Sequence, residues 1–213
     1  MRPLIQVALD LIDKGRVLNI AEIVAPYVDI IEVGTPLLKA EGIKIIETLK
    51  ERYPDKLLLA DTKTMDVGAI EARLVFDVGA DIMTVCAAAE IETISAAIGE
   101  AQRQGKKVMV DFIGVENKIL RAKGIVSLRP HYFNLHTAID VQRSKGKSFE
   151  EIKAFSKAFS VPLAIAGGLV PQDIANLAPF SPSILIFGSF ITKASDPKRA
   201  VLEIKKEIDD VLS

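Results

Sequence analysis

Apolar and polar positions along this chain follow two alternating periods. Short apolar runs recur as "LIQVAL" (4–9), "VDIIEV" (28–33), "LLLAD" (57–61), "DIMTVC" (81–86), "KVMVDF" (107–112), "YFNLH" (132–136), "PLAIA" (162–166) and "ILIFG" (184–188). Near-continuous apolar runs of this kind are what strands buried on both faces of a parallel sheet require. Between them lie segments such as "PLLKAEGIKIIETLKER" and "EIETISAAIGEAQRQ". Their apolar residues recur at three and four positions, which predicts amphipathic helices. Eight strand–helix units of roughly 20–30 residues fit an α/β protein, a (β/α)8 TIM barrel forming a single domain over residues 1–213, close to the lower limit of about 200 residues for that fold. The sixth strand has the weakest signal, because Pro130 lies just upstream. An open doubly wound sheet is the rival, but it predicts a glycine-rich turn after the first strand. "ALDLIDKGR" stands there instead. The last segment, "DPKRAVLEIKKEIDDVL", predicts an outer-ring helix with a proline at its start.

Composition narrows the class of function. The 213 residues are 49% hydrophobic and 26% charged with a formal charge of −1, enough for a large core but without the basic face that nucleic acid needs. Cys86 is the single cysteine, so no disulfide framework forms within the chain. Asp10 and Asp13 interrupt the apolar start before it reaches the length of a membrane span. The expectation is a soluble, cytoplasmic protein with no membrane partner.

In such a barrel the working groups sit at the C-terminal ends of the strands. Reading those ends in turn yields Asp10, Glu32, Asp61, Asp111 and His136, on five different strands. Any one of them alone reads equally well as a helix cap or loop carboxylate; five at the same end point to a site. Within "LLLADTKTMDVGA", Asp61 and Lys63 are two apart, so an extended chain turns both into the mouth, while Asp66 lies beyond the strand in the following loop. Two carboxylates about 4 Å apart repel by ~4 kcal/mol at an effective dielectric of about 20, so the acid cluster asks for a cation. Hard oxygen donors suit Mg²⁺ better than zinc; the plain alternative is a structural Asp–Lys pair. At the other end of the chain, Gly167 and Gly168 follow the seventh strand, and Gly188 and Ser189 the eighth. Loops 7 and 8 are where these barrels hold phosphate, although glycine often just permits a left-handed turn. No arginine follows Gly188, so the expected donors are backbone N–H groups, Ser189 and the helix end. Cys86 reads as a packed thiol, His131 as a surface residue, and "RSKGK" (143–147) as a solvated loop with a possible role as lid or second phosphate contact.

"ADTKTMD" resembles the Asp-x-Lys-x-x-Asp signature of the orotidine-monophosphate decarboxylase superfamily. "QVALD", "DIIEVGTPL", "GADIMTV", "HTAIDVQ" and "AIAGG" extend the resemblance over strands 1 to 7. Glu32 stands where the nucleotide decarboxylases carry lysine, which implies the Mg²⁺-dependent branch containing the 3-hexulose-6-phosphate synthases and the 3-keto-L-gulonate 6-phosphate decarboxylases. "HTAID" is similar to the synthases' His-Thr-Gly-x-Asp, with Ala138 in place of the glycine; the gulonate enzymes usually carry an arginine in this stretch, and none lies between His136 and Asp140. The family's usual glycine or arginine after Gly188 is Ser189 here. The resemblance implies reversible condensation of D-ribulose 5-phosphate with formaldehyde through an enediolate. It puts Glu32 and Asp61 on the metal, Lys63 on the same substrate oxygens, His136 as general acid/base, and Asp10 and Asp111 on substrate hydroxyls. It also sends Asp66 into the site of a second subunit, which implies a homodimer. Decarboxylation of a β-keto sugar acid through the same enediolate is the nearest alternative, and a non-catalytic sugar-phosphate-binding barrel is the alternative of another class.

Overall fold

The computed structural model describes residues 2–142 and 149–213; the basic run 143–147 lies outside them. Eight parallel strands pair in chain order, and the last pairs with the first to close a barrel. They are β1 (Leu4–Leu9), β2 (Ile30–Val33), β3 (Leu57–Thr64), β4 (Ile82–Cys86), β5 (Lys107–Asp111), β6 (Tyr132–His136), β7 (Leu163–Ala166) and β8 (Ile184–Phe187). Seven match the sequence reading to within two residues. The exception is β3, which continues through Thr62 and Lys63 to Thr64, three residues past the apolar run.

Strand alternation divides the core into two layers. Inward residues, among them Ile30, Leu59, Ile82, Met109, Ala164 and Ile184, fill the barrel below its mouth. Outward residues such as Val7, Ile31, Leu58, Val85, Val110 and Phe187 pack against the helices. Fully burying one such side chain contributes about 1.5–3 kcal/mol, so both layers are strongly specified. The helices among the described residues are α1 (Lys14–Val24), α2 (Thr35–Glu41), α3 (Lys44–Arg52), α4 (Gly68–Phe76), α5 (Ile91–Gln104), α6 (Lys118–Ile125), α7 (Phe149–Ala158), α8 (Ile174–Leu177), α9 (Ser189–Thr192) and α10 (Pro197–Leu212).

Local chemistry sets several boundaries. Asp13, Asn117 and Asp196 cap α1, α6 and α10, each accepting a backbone N–H from three residues on. The segment expected as one helix after β2 is instead two, α2 and α3, because Gly42 takes a left-handed φ of 68° and its N–H closes α2 onto the Leu38 carbonyl. Behind β5 and β6, the Phe112 and Phe133 rings meet edge to face at 5.2 Å, and Phe155 of α7 packs on both, at 5.3 and 5.7 Å. This cluster fixes the two strands that present Asp111 and His136.

Candidate active site

The strand ends open into one cavity of about 480 Å³. Asp10, Glu32, Asp61, Lys63, Asp111 and His136 line it, as do Gly167, Gly168, Gly188 and Ser189. The residues scattered through the sequence therefore converge on one cavity, with Asp10 beside the turn after β8.

Lys63 reaches the mouth by a route that simple alternation does not supply. Between Ala60 and Thr64 the β3–β4 register shifts, and Lys63 has a left-handed φ of 46°. Its N–H donates to Thr84 Oγ1 at 2.9 Å, which supports the bulged backbone from β4. Val67, a β-branched residue, has φ 48° at the start of α4. Two strained residues thus bracket "TMD", and a non-glycine residue in this region costs of order 1–3 kcal/mol. The constraint sets the direction of Lys63 on one side and Asp66 on the other.

Asp61 is the best supported acid. Its carboxylate is hydrogen-bonded by Lys63 Nζ, by Thr84 Oγ1 at 2.8 Å and by Thr35 Oγ1 at 2.9 Å. Burial pushes its pKa up, but the charge and hydrogen bond of Lys63 together with the two hydroxyls outweigh that, and the net shift is downward. Burial likewise opposes the charge on Lys63, yet Asp61 and Asp111 raise its pKa overall. Both groups are held in their charged forms.

Glu32 is in the opposite condition. It is 7% exposed, and burial, then Asp61, then Asp10, hold its pKa well above the ordinary carboxylate range. Its direct partner is Gln6, whose Nε2 donates to Glu32 Oε2 at 2.6 Å. Gln6 Oε1 and, across the floor, Asn134 Oδ1 are buried without a hydrogen-bond partner. A buried carboxylate beside the unpaired amide oxygen of Gln6 is costly for a folded protein and suits an added cation. Asp10 is open to the cavity at its rim; the surrounding walls and then Asp61 raise its pKa.

Asp111 is 1% exposed and both of its oxygens already have protein partners. Oδ1 accepts the Ile113 N–H at 2.8 Å, and Oδ2 accepts from His136 Nδ1 at 2.9 Å, with Lys63 Nζ 3.9 Å away. A residue expected on substrate hydroxyls is thus turned toward the histidine, because β5 and β6 are neighbours in the barrel. Asp66 does not line the cavity. Its side chain is exposed and accepts the Val67 N–H at 2.7 Å. Gly167 has φ 112° and Gly168 φ 65°, so the turn after β7 is left-handed. The helix after β8 is one turn long, Ser189–Thr192, so the helix-end contribution expected from the sequence is small.

The remaining assignments divide. Cys86 is buried, donates weakly to the Lys63 carbonyl at 3.4 Å, and burial followed by the Asp111 charge pushes its thiol up to about 11; it is packing. His131 is half-buried rather than a surface residue: Nδ1 accepts the Val108 N–H at 3.1 Å, and burial and then Lys107 lower its pKa. The sequence reading missed Thr35, Thr84, Gln6, Asn134 and Lys193, all of which line the cavity. Inward alternation from Asp10 and His136 finds Gln6 and Asn134; the hydroxyls and Lys193 have no signal of their own.

Known proteins are similar to this chain in sequence and fold. Residues 3–204 match the model of the Orotidine 5'-phosphate decarboxylase / HUMPS family. The chain is similar to 3-hexulose-6-phosphate synthase of Mycobacterium gastri, 38% identical over 204 residues that cover 96% of this chain and 99% of the relative. Among solved structures, 3-hexulose-6-phosphate synthase from Salmonella typhimurium superposes with a TM-score of 0.93 at 35% identity, covering 98% of this chain and 99% of that one. 3-keto-L-gulonate-6-phosphate decarboxylase from Vibrio cholerae superposes with a TM-score of 0.88 at 32% identity, covering 99% of each chain.

Proposed function

Since the chain belongs to the Orotidine 5'-phosphate decarboxylase / HUMPS family, we propose that it is an aldehyde-lyase of the 3-hexulose-6-phosphate synthase type, joining D-ribulose 5-phosphate to formaldehyde reversibly. The observation that carries this reading is the cavity itself. It holds Glu32, Asp61, Lys63 and His136 together, and no arginine lies between His136 and Asp140, the stretch in which the gulonate branch usually carries one.

The residues divide the work as follows. The Asp111 carboxylate fixes the proton on His136 Nδ1, which leaves Nε2 to remove the C1 proton of the pentulose. The electron pair freed from that C–H bond delocalises into the enediolate, and C1 then attacks the formaldehyde carbon. The new C–C bond pushes the aldehyde π electrons onto oxygen, which takes the proton back from His136. Lys63, held charged by Asp61 and Asp111, donates to the developing oxyanion. Asp10, open at the rim, orients a substrate hydroxyl.

The donor set also fits Mg²⁺. Glu32 and Asp61 offer hard oxygens, and the raised pKa of Glu32 marks a carboxylate short of positive charge. Among the described residues, no group of three or more His, Cys, Asp or Glu side chains is arranged to hold a metal alone, so substrate oxygens would complete the coordination. When bound, the ion supplies Lewis-acid stabilisation of negative charge on those oxygens.

The active unit is proposed to be a homodimer. Met65, Val67, Ile70 and Leu74 are each about half exposed, an apolar surface around Asp66 that a second copy would cover. Among the described residues no helix is long and apolar enough to cross a membrane.

The test is consumption of formaldehyde in the presence of ribulose 5-phosphate and Mg²⁺, with and without a chelator. Chelator-sensitive loss of formaldehyde is the expected result. CO₂ release from 3-keto-L-gulonate 6-phosphate without formaldehyde uptake would move the assignment to the decarboxylase, and inactivity in both would leave a binding barrel.

A further inference from the structure

We infer that Lys193 is the cation that anchors the substrate phosphate in this chain, in place of a charged side chain in the turn after β8. The inference rests on the sugar-phosphate reading above and deepens it. Among the described residues the cavity presents five carboxyl groups, Asp10, Glu32, Asp61, Asp111 and Asp140, to two ammonium groups, Lys63 and Lys193. Lys63 is committed to Asp61. The Lys193 ammonium has no hydrogen-bond or ion-pair partner among the described residues. A phosphate monoester near pH 7 carries about −1.5 to −2 charge, and an entrance this rich in acids would repel it without a local cation.

Geometry places that cation on the phosphate side. The Lys193 N–H donates to the Ser189 carbonyl at 3.0 Å, one turn on from the residue that opens α9. Asp10 closes the other direction: a Cβ on Gly34 would lie 2.2 Å from Asp10 Oδ1, and one on Gly188 would lie 3.8 Å from Oδ2. A dianion in this turn must therefore stand clear of Asp10, toward Ser189, Lys193 and the facing turn at Gly167 and Gly168. Neither Ser189 nor a single helical turn supplies a full positive charge. Lys193 is exposed and on a flexible stem, so it can meet the phosphate at the cavity rim without a burial cost.

The experiment compares wild type, Lys193→Met and Lys193→Arg by calorimetric binding of ribulose 5-phosphate and of inorganic phosphate, and by steady-state kinetics. A charge-assisted hydrogen bond of ordinary strength predicts that Lys193→Met weakens both ligands and raises KM roughly ten- to hundredfold, while kcat changes less than about threefold. Lys193→Arg should restore most of the binding. Equal binding by wild type and Lys193→Met overturns the inference, as does failure of the wild type to bind either ligand. If the wild type binds both ligands but never consumes formaldehyde, the synthase reading fails, while a loss of binding in Lys193→Met still establishes the anchor.

Discussion

Asp111 Oδ2 lies 2.9 Å from His136 Nδ1 across the β5–β6 pair, and the Ile113 N–H holds the other carboxylate oxygen. An ionised carboxylate can only accept, so the contact defines the tautomer of a histidine that faces the cavity. Through Asp111 it also ties His136 to the Lys63–Asp61 ion pair. Asp111→Asn keeps the volume but loses the charge and can present an N–H to Nδ1. The expected result is a fall in kcat of about 10²–10⁴-fold, the range for loss of a positioned general base, with an altered pH–rate profile and little change in KM. Wild-type kcat in this variant would mean that His136 is not the base.

Glu32→Gln separates function from stability. Turnover should fall by at least ~10²-fold, since the carboxylate is assigned to charge stabilisation at the reacting oxygens. The same change removes a buried charge whose pKa is raised by burial and by two neighbouring acids. Thermal unfolding should therefore occur at the same temperature as in the wild type or higher. A variant that is both active and less stable would show that Glu32 is a structural acid.

Asp66 is exposed in the single chain, beside the apolar surface of Met65, Val67, Ile70 and Leu74. Asp66→Asn and His136→Asn should each be nearly inactive as homodimers. Mixing them after reversible dissociation should regain part of the activity, because the one intact site combines His136 of one copy with Asp66 of the other. No recovery in demonstrated mixed dimers would place Asp66 in its own subunit's site. Ile70→Glu with Leu74→Glu should shift the sedimentation coefficient to that of a monomer.

Asp81, away from the candidate site, links folding stability to pH. Its Oδ1 accepts from Lys106 Nζ at 2.8 Å, and its Oδ2 from Lys50 Nζ at 2.9 Å and the Leu58 N–H at 3.0 Å. Burial pushes its pKa up, but these three donors outweigh it and the net shift is downward. A pKa lower in the folded than in the unfolded state means that the unfolded chain binds the proton more readily. The stabilisation is therefore present above the unfolded value of about 3.9 and is lost as pH falls through the folded one. Asp81→Asn should cost about 1–3 kcal/mol at pH 7, and the gap to wild type should shrink below about pH 4. A gap in denaturant midpoint that is the same at pH 7 and pH 3 would assign the effect to shape rather than charge.

The barrel was legible because each strand and helix carries its own period, and the closing pair, β1 with β8, follows from equal repetition of one unit. Converging acids were legible for the same reason: a residue at the end of a parallel strand faces the mouth whatever the rest of the chain does. Features that depend on a neighbouring strand were not. Lys63 was expected in the mouth, but the bulge by which it gets there, supported by Thr84 twenty-one residues away, is encoded by no periodicity. Asp111 looks like any loop acid until β6 brings His136 beside it.

What the amino-acid sequence determined by itself is the order of strands and helices and the set of charged residues at the strand ends, since both follow from local periodicity and burial. Tertiary structure alone decided which charges neutralise one another. Asp61 is satisfied, Glu32 is not, and among the described residues Lys193 is left without an acid, because electrostatic energy depends on distance through space and solvent exclusion rather than on separation along the chain.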